Sequence, residues 1–257
     1  MPEVTSYSPG TPSWVDLATS DPPGARDFYG GMFGWEFDVG GPESGNYTFC
    51  RLRGRKVAGM AGTPTTEFPT AWVTYIATDD SDTAAKRIEE LGGALMMGPM
   101  NIHGSGRLVV GTDPTGAVFG TWEAGEHLGA GLVREPGTVV WNELTTADIE
   151  TAQRFYQGVF GYGYEAVDTG EGGPVYRMVQ VGDQTVAGML QMTEDFGAMP
   201  SHWMTYFEVD GTDAAVERAQ GLGGTLAVPA FDSFYGRIAV LEDPQGGVFS
   251  LMTSTPR

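Results

Sequence analysis

Phe28-Tyr29-Gly30-Gly31-Met32-Phe33-Gly34 recurs as Phe155-Tyr156-Gln157-Gly158-Val159-Phe160-Gly161, displaced by 155 − 28 = 127 residues. In each copy the apolar side chains fall on one helical face: Ala25, Phe28, Tyr29, Met32 and Phe33, then Ala152, Phe155, Tyr156, Val159 and Phe160. This is the i, i+3, i+4, i+7 spacing of an amphipathic helix. Ser20-Asp21-Pro22 marks the start of the first, because a carboxylate accepts the free backbone amides and a proline ring presets the first helical φ. Gly34 and Gly161 supply left-handed stops.

Outward from these helices the correspondence continues. Trp14-Val15-Asp16-Leu17 returns as Trp141-Asn142-Glu143-Leu144, again 141 − 14 = 127 residues on. Val57-Ala58-Gly59-Met60 matches Val186-Ala187-Gly188-Met189, and Leu91-Gly92-Gly93 matches Leu222-Gly223-Gly224. Gly106-Arg107 with Asp113-Pro114 matches Gly236-Arg237 with Asp243-Pro244. A repeat of this length means two copies of a domain, since solenoid periods run ~20–50 residues. Alternating segments predict strands at 14–18, 35–39, 47–53, 56–60, 72–78, 94–97, 107–112 and 117–122, with a second helix through Ala84, Ile88 and Leu91. Each half therefore reads as strand–helix–three strands, twice. The expected class is α+β, a tandem duplication over residues 1–122 and 138–257 joined by a linker at 123–137. With helices on one side only, the other face of each sheet is free to curl into a trough.

Composition narrows the partners. Against 14 basic residues stand 33 acidic ones, a formal charge of −19 that repels nucleic acid. No apolar run approaches the ~20 residues of a membrane span, and the first residues lack a secretory pattern. Cys50 is the single cysteine, so no internal disulfide forms, in keeping with a reducing cytoplasm.

The βαβββ-βαβββ order, the aromatic pair Phe28-Tyr29 and the Asp113-Pro114-Thr115-Gly116 turn before a last strand resemble the vicinal oxygen chelate superfamily. That superfamily includes glyoxalase I, bleomycin-resistance proteins and extradiol dioxygenases. The resemblance covers about 11–252. It looks closest to two-domain glyoxalase-like proteins of actinobacteria, some called hydroxylases and found among antibiotic-biosynthesis enzymes. It implies a cupped sheet around a cavity and, in the best-known members, a divalent metal held by His, Gln and Glu on fixed strands. Those places fall here at Trp14, Val73 and Gly120, and at Trp141, Met204 and Ser250. Imidazole and carboxylate donors are what a Lewis-acidic ion needs, so neither set predicts a metal, and no cofactor is expected.

Residues two apart on a strand share a face. If Trp14 and Trp141 point into the cups, so do Asp16 and Glu143, with Tyr75 and Tyr206 beside Val73 and Met204. Such a lining suits a flat, partly apolar ligand, and Met60, Met97, Met189 and Met204 are expected to extend it. Repeated aromatic residues are equally the packing of a duplicated core. A buried carboxylate must be paired, solvated or in use; Arg107 and Arg237 are the expected partners, as a structural pair or as ligand-binding groups. Asp16, Glu143 and His202 are the candidate acid–base residues. His103 reads as a loop residue, and His127 as a linker residue bridging the domains.

The functional expectation is a metal-independent protein that binds a small aromatic or polyketide-like metabolite and transforms it by proton transfer or assisted hydroxylation. Sequestration of an antibiotic, a metal-dependent glyoxalase-like lyase or dioxygenase, and service to a partner oxygenase remain open alternatives. So does the choice between monomer and homodimer.

Overall fold

Asp21 accepts the Gly24 amide at 3.1 Å and Asp148 the Thr151 amide at 3.0 Å, so both predicted helices begin on a side-chain cap. Gly34 (φ 69°) and Gly161 (φ 72°) end them in the left-handed region. The computed structural model describes residues 4–63, 69–102 and 104–255. His103 lies outside them.

The first half runs β1 (Pro12–Thr19), α1 (Pro22–Phe33), β2 (Glu36–Val39), β3 (Thr48–Leu52), β4 (Arg55–Gly62), β5 (Ala71–Ala77), α2 (Ser81–Glu90), β6 (Ala94–Ile102), β7 (Gly106–Thr112) and β8 (Val118–Ala124). The second repeats it as β9 (Val139–Thr146), α3 (Ile149–Phe160), β10 (Gly163–Val167), β11 (Tyr176–Val181), β12 (Gln184–Gln191), β13 (His202–Glu208), α4 (Thr212–Gly221), β14 (Thr225–Ser233), β15 (Gly236–Glu242) and β16 (Val248–Ser254). Each half forms one eight-stranded sheet, ordered β2-β3-β4-β1-β5-β8-β7-β6 and β10-β11-β12-β9-β13-β16-β15-β14. The expected α+β duplication is the observed one. β6 continues five residues beyond the expected Met97: register shifts absorb Gly98-Pro99, and an edge strand tolerates a proline.

The helical faces of the two sheets pack against each other. One apolar cluster joins Leu17, Phe28, Tyr29 and Met32 to Phe207, Ala219 and Phe249. Another joins Ile76, Ile88 and Phe119 to Leu144, Phe155 and Tyr156. Each fully buried large side chain contributes ~1.5–3 kcal/mol, so the domains share their cores instead of touching through a thin seam. The Asp-Pro turn adds a polar tie. Tyr29 donates to Asp243 Oδ2 at 2.9 Å and accepts the Trp72 indole N–H at 3.0 Å. On the other side Trp203 donates to the Tyr156 hydroxyl at 2.8 Å. With these faces joined, the two cups look away from each other.

Candidate functional site

Alternation along β1 sends Val15 and Leu17 into the shared core and Trp14 and Asp16 into the first cup. On β5, Tyr75 lies opposite Trp14 and Val73 opposite Asp16. The Trp14 indole donates to Asp16 Oδ1 at 2.7 Å and to the Tyr47 hydroxyl oxygen at 2.9 Å. Tyr47 donates to the same Oδ1, and Tyr75 is also hydrogen-bonded to the carboxyl. Gly59 sits opposite Asp16. A Cβ there would stand 1.9 Å from the Tyr47 hydroxyl and 2.0 Å from Asp16 Oδ1, so only glycine leaves room for this contact.

The second cup repeats the arrangement around a longer acid. Glu143 Oε2 accepts Tyr176 at 2.7 Å, and Oε1 accepts Tyr206 at 2.9 Å. The Trp141 indole donates to Tyr176 at 3.2 Å. Gly188 plays the part of Gly59: its Cβ would lie 2.0 Å from the Tyr176 hydroxyl. Each cup thus holds a carboxyl, two phenols and an indole.

Burial pushes Asp16 up to about 6, against the opposing pull of the Tyr47, Trp14 and Tyr75 donors. Burial raises Glu143 too, partly offset by Tyr176 and Tyr206. The four phenols are driven upward by burial and by the neighbouring carboxylates, so they remain protonated donors.

Several expected residues lie elsewhere. Met60 and Met189 are fully buried in the inter-domain cores, on the helical side of their sheets, and line neither cup. Met204 faces the second cup opposite Glu143, while Met97 pairs with Val110 at the exposed rim of the first. Arg107 and Arg237 do not partner the carboxyls. Arg107 shares its face with buried Val109 and forks onto Asp82 at 2.8 and 2.9 Å. Arg237 binds Asp213 and Asp232 on the surface. Strand parity puts both guanidiniums on the side of the sheet opposite the acids. His202 opens β13 on the cup face, paired with Thr145, one strand pair from Glu143; its Nδ1 lies 2.9 Å from the Pro200 carbonyl.

Three cup residues lie outside the set expected from the sequence: Tyr47, Tyr176 and His127. The tyrosines are 176 − 47 = 129 residues apart, the displacement of the Val57–Met60 landmark, and that coincidence is the signal that finds them. His127 does not simply bridge the domains. It is buried against Trp14, and burial, then the Lys56 charge, lowers it to about 3. Two concavities of about 390 and 260 Å³ lie along Gly30–Gly34 with Arg218, and beside Tyr7 and Glu123; neither reaches Asp16 or Glu143.

The residues do not fit the superfamily's metal. An ion requires converging lone pairs, whereas phenol O–H groups converge on each carboxyl, joined at Asp16 by the Trp14 indole N–H. Among the described residues no group of three or more His, Cys, Asp or Glu side chains is arranged to hold one.

Comparison with known proteins agrees with the duplicated fold. The Glyoxalase/Bleomycin resistance protein/Dioxygenase superfamily pattern matches 11–121, and the Glyoxalase-like domain pattern matches 138–252. A Mycobacterium tuberculosis protein named "Putative glyoxylase CFP32" is 40% identical over 263 residues, covering 100% of both chains. The chain belongs to this superfamily. "Anthracycline biosynthesis protein DnrV" of Streptomyces peucetius is 38% identical, over 97% of this chain and 95% of its own. Among solved structures, the Mn(II)-bound glyoxalase of Novosphingobium aromaticivorans superposes with a TM-score of 0.65 at 15% identity, covering 95% of this chain and 82% of that one. The 2,3-dioxygenase LapB of Pseudomonas sp. KL28 gives 0.65 at 13% identity, over 97% and 94%. These superpositions speak for the fold alone. No helix among the described residues is long and apolar enough to cross a membrane.

Proposed function

We propose that this superfamily member binds a small, flat aromatic or polyketide-like metabolite in a cup, without a metal, and moves a proton on it. The observation that carries this reading is the duplicated carboxyl–phenol–phenol–indole set, with burial raising the carboxyl in both cups. A carboxyl raised above its ordinary range is better matched to accept or return a proton. Either Trp14 with Tyr75 or Trp141 with Tyr206 supplies aromatic surface for a ring system; in the second cup Met204 adds adaptable lining and His202 stands at the edge. The anthracycline-biosynthesis relatives support a polycyclic, hydroxylated ligand. Hydroxylation of such a ligand needs an oxidant that these side chains do not supply, and a partner oxygenase is the proposed source.

The test is binding and turnover of a tetracyclic hydroxyanthraquinone by the native chain and by Asp16→Ala and Glu143→Ala. The expected result is weakened binding and lost conversion in the variant whose cup takes the ligand; unchanged affinity and turnover in both variants would refute the reading. Sequestration by affinity alone is the second reading, favoured by the fact that both Glu143 oxygens are already hydrogen-bonded. Recovery of unaltered ligand after long incubation selects it, and a new product rejects it.

A further inference from the structure

The two cups carry the same polar set but differ in what covers them. Residues 125–131 leave β8 and run back across one end of the first cup. Gly125 and His127 donate their amides to the Ser105 carbonyl at 2.9 and 3.0 Å, Glu126 to Gly104 at 3.0 Å, Ala130 to Ser13 at 2.9 Å and Gly131 to Lys56 at 2.8 Å. The Trp122 indole donates to the His127 carbonyl at 2.7 Å, and the Tyr7 hydroxyl to that of Ala130 at 2.7 Å. The His127 ring packs edge-on to Trp14 with centroids 4.4 Å apart and lies 5.2 Å from Phe49. Together with Ala130 this closes an apolar cluster over Trp14 and Tyr75, which keep 5% and 7% of their surface. The indole and phenol that would stack on a ligand are already stacked on the chain.

The second cup has no corresponding cluster among the described residues, and Trp141 and Tyr206 remain half-buried. One cause is local. In the first sheet Tyr75 settles onto Gly120, where a Cβ would stand 2.3 Å from the ring. The equivalent partner of Tyr206 is Ser250, whose side chain keeps that place for itself. The Ser250 hydroxyl is fully buried and hydrogen-bonded to the Tyr206 phenol. At the rim, the β6–β7 turn that receives the linker through Gly104 and Ser105 corresponds to Phe234 and Tyr235. Phe234 is 88% exposed, and Tyr235 lies close enough to act on the Tyr176 phenol. Phe231, on the cup face of β14 opposite Ile238, is exposed as well.

We infer that the chain takes one flat, hydroxylated aromatic ligand, in the second cup only, and that its own linker permanently occupies the first. This rests on the functional reading above and adds to it the choice of cup and the stoichiometry. In the second cup the ring system lies on Trp141 and Tyr206 under Phe234. Its hydroxyl or carbonyl groups meet the phenols that hold Glu143.

The experiment is calorimetric titration of the full chain with a tetracyclic hydroxyanthraquinone, repeated with Phe234→Ala and Trp141→Phe. The expected result is one equivalent per chain, with affinity about tenfold weaker in Phe234→Ala, the change for uncovering one large apolar side chain. Phe234 is exposed, so its removal leaves the fold intact, which circular dichroism checks. Trp141→Phe should also remove the ligand-induced quenching of indole fluorescence. Saturation at two equivalents, or one equivalent whose affinity both substitutions leave unchanged, would overturn the choice of cup while sparing the functional reading. Absence of binding would overturn both.

Discussion

Replacing Asp16 by Asn should stabilise the protein at neutral pH and do progressively less as the pH falls. The carboxyl has an ordinary value of 3.8 and is pushed up to about 6 in the folded chain. A carboxyl raised on folding binds its proton more tightly in the native state. Its favourable contribution is complete below 3.8 and is lost as the pH rises through 6. At about 1.4 kcal/mol per unit the ceiling is ~3 kcal/mol. Asp16 is only half-buried, and solvent screening reduces this to about 1–2 kcal/mol. The amide keeps an oxygen for the Trp14 and Tyr47 donors and carries no charge. For a chain of this size ~1 kcal/mol moves the midpoint by about 2–4 °C. The gap between the Asp16→Asn variant and the native protein should therefore widen by about 2–8 °C between pH 4 and pH 7.5. Thermal unfolding by circular dichroism at closely spaced pH values measures it, and the comparison cancels the other acids common to both proteins. A gap that stays flat, or narrows as the pH rises, would refute the argument.

Other outcomes follow from the same geometry. Gly188→Ala places a methyl on the Tyr176 hydroxyl, so urea unfolding should show a loss of about 1–3 kcal/mol. Tyr29→Phe strips Asp243 Oδ2 and the Trp72 indole of a shared partner and should cost about 1–3 kcal/mol. Tyr156→Phe removes the matching hydroxyl, which accepts the Trp203 indole and is hydrogen-bonded to Asp113, and should cost a similar amount in the same denaturation assay. Arg237→Ala removes a surface pair behind the sheet and should leave quinone affinity within twofold by fluorescence titration. A larger fall would return that guanidinium to the site.

Much of this architecture is legible in the sequence because the duplication states each element twice. Asp21 announces the first helix, and period-two spacing puts Trp14 with Asp16 and Val73 with Tyr75, as the sheet does. The reading fails where both faces of a strand are apolar. Leu108, Val109 and Val110 give no clue to parity, so the expectation for Arg107 falls on the wrong side of the sheet. Val57-Ala58-Gly59-Met60 has the same ambiguity: the glycine faces the cup and the methionine the core. Tyr47 opens the strand expected at 47–53, but β3 itself begins one residue later at Thr48, so strand alternation does not set its face. The path of His127 into the first cup depends on long-range backbone hydrogen bonds to Ser13, Lys56 and Ser105, which no local pattern encodes.

The central claim is that aromatic recognition has replaced ion coordination in this superfamily member. The most direct measurement is calorimetric titration of a tetracyclic hydroxyanthraquinone into protein dialysed against a chelator, before and after addition of Mn²⁺, Fe²⁺ or Zn²⁺. The account predicts saturable binding whose affinity the ions leave unchanged. Binding that appears only once a divalent ion is restored would contradict it.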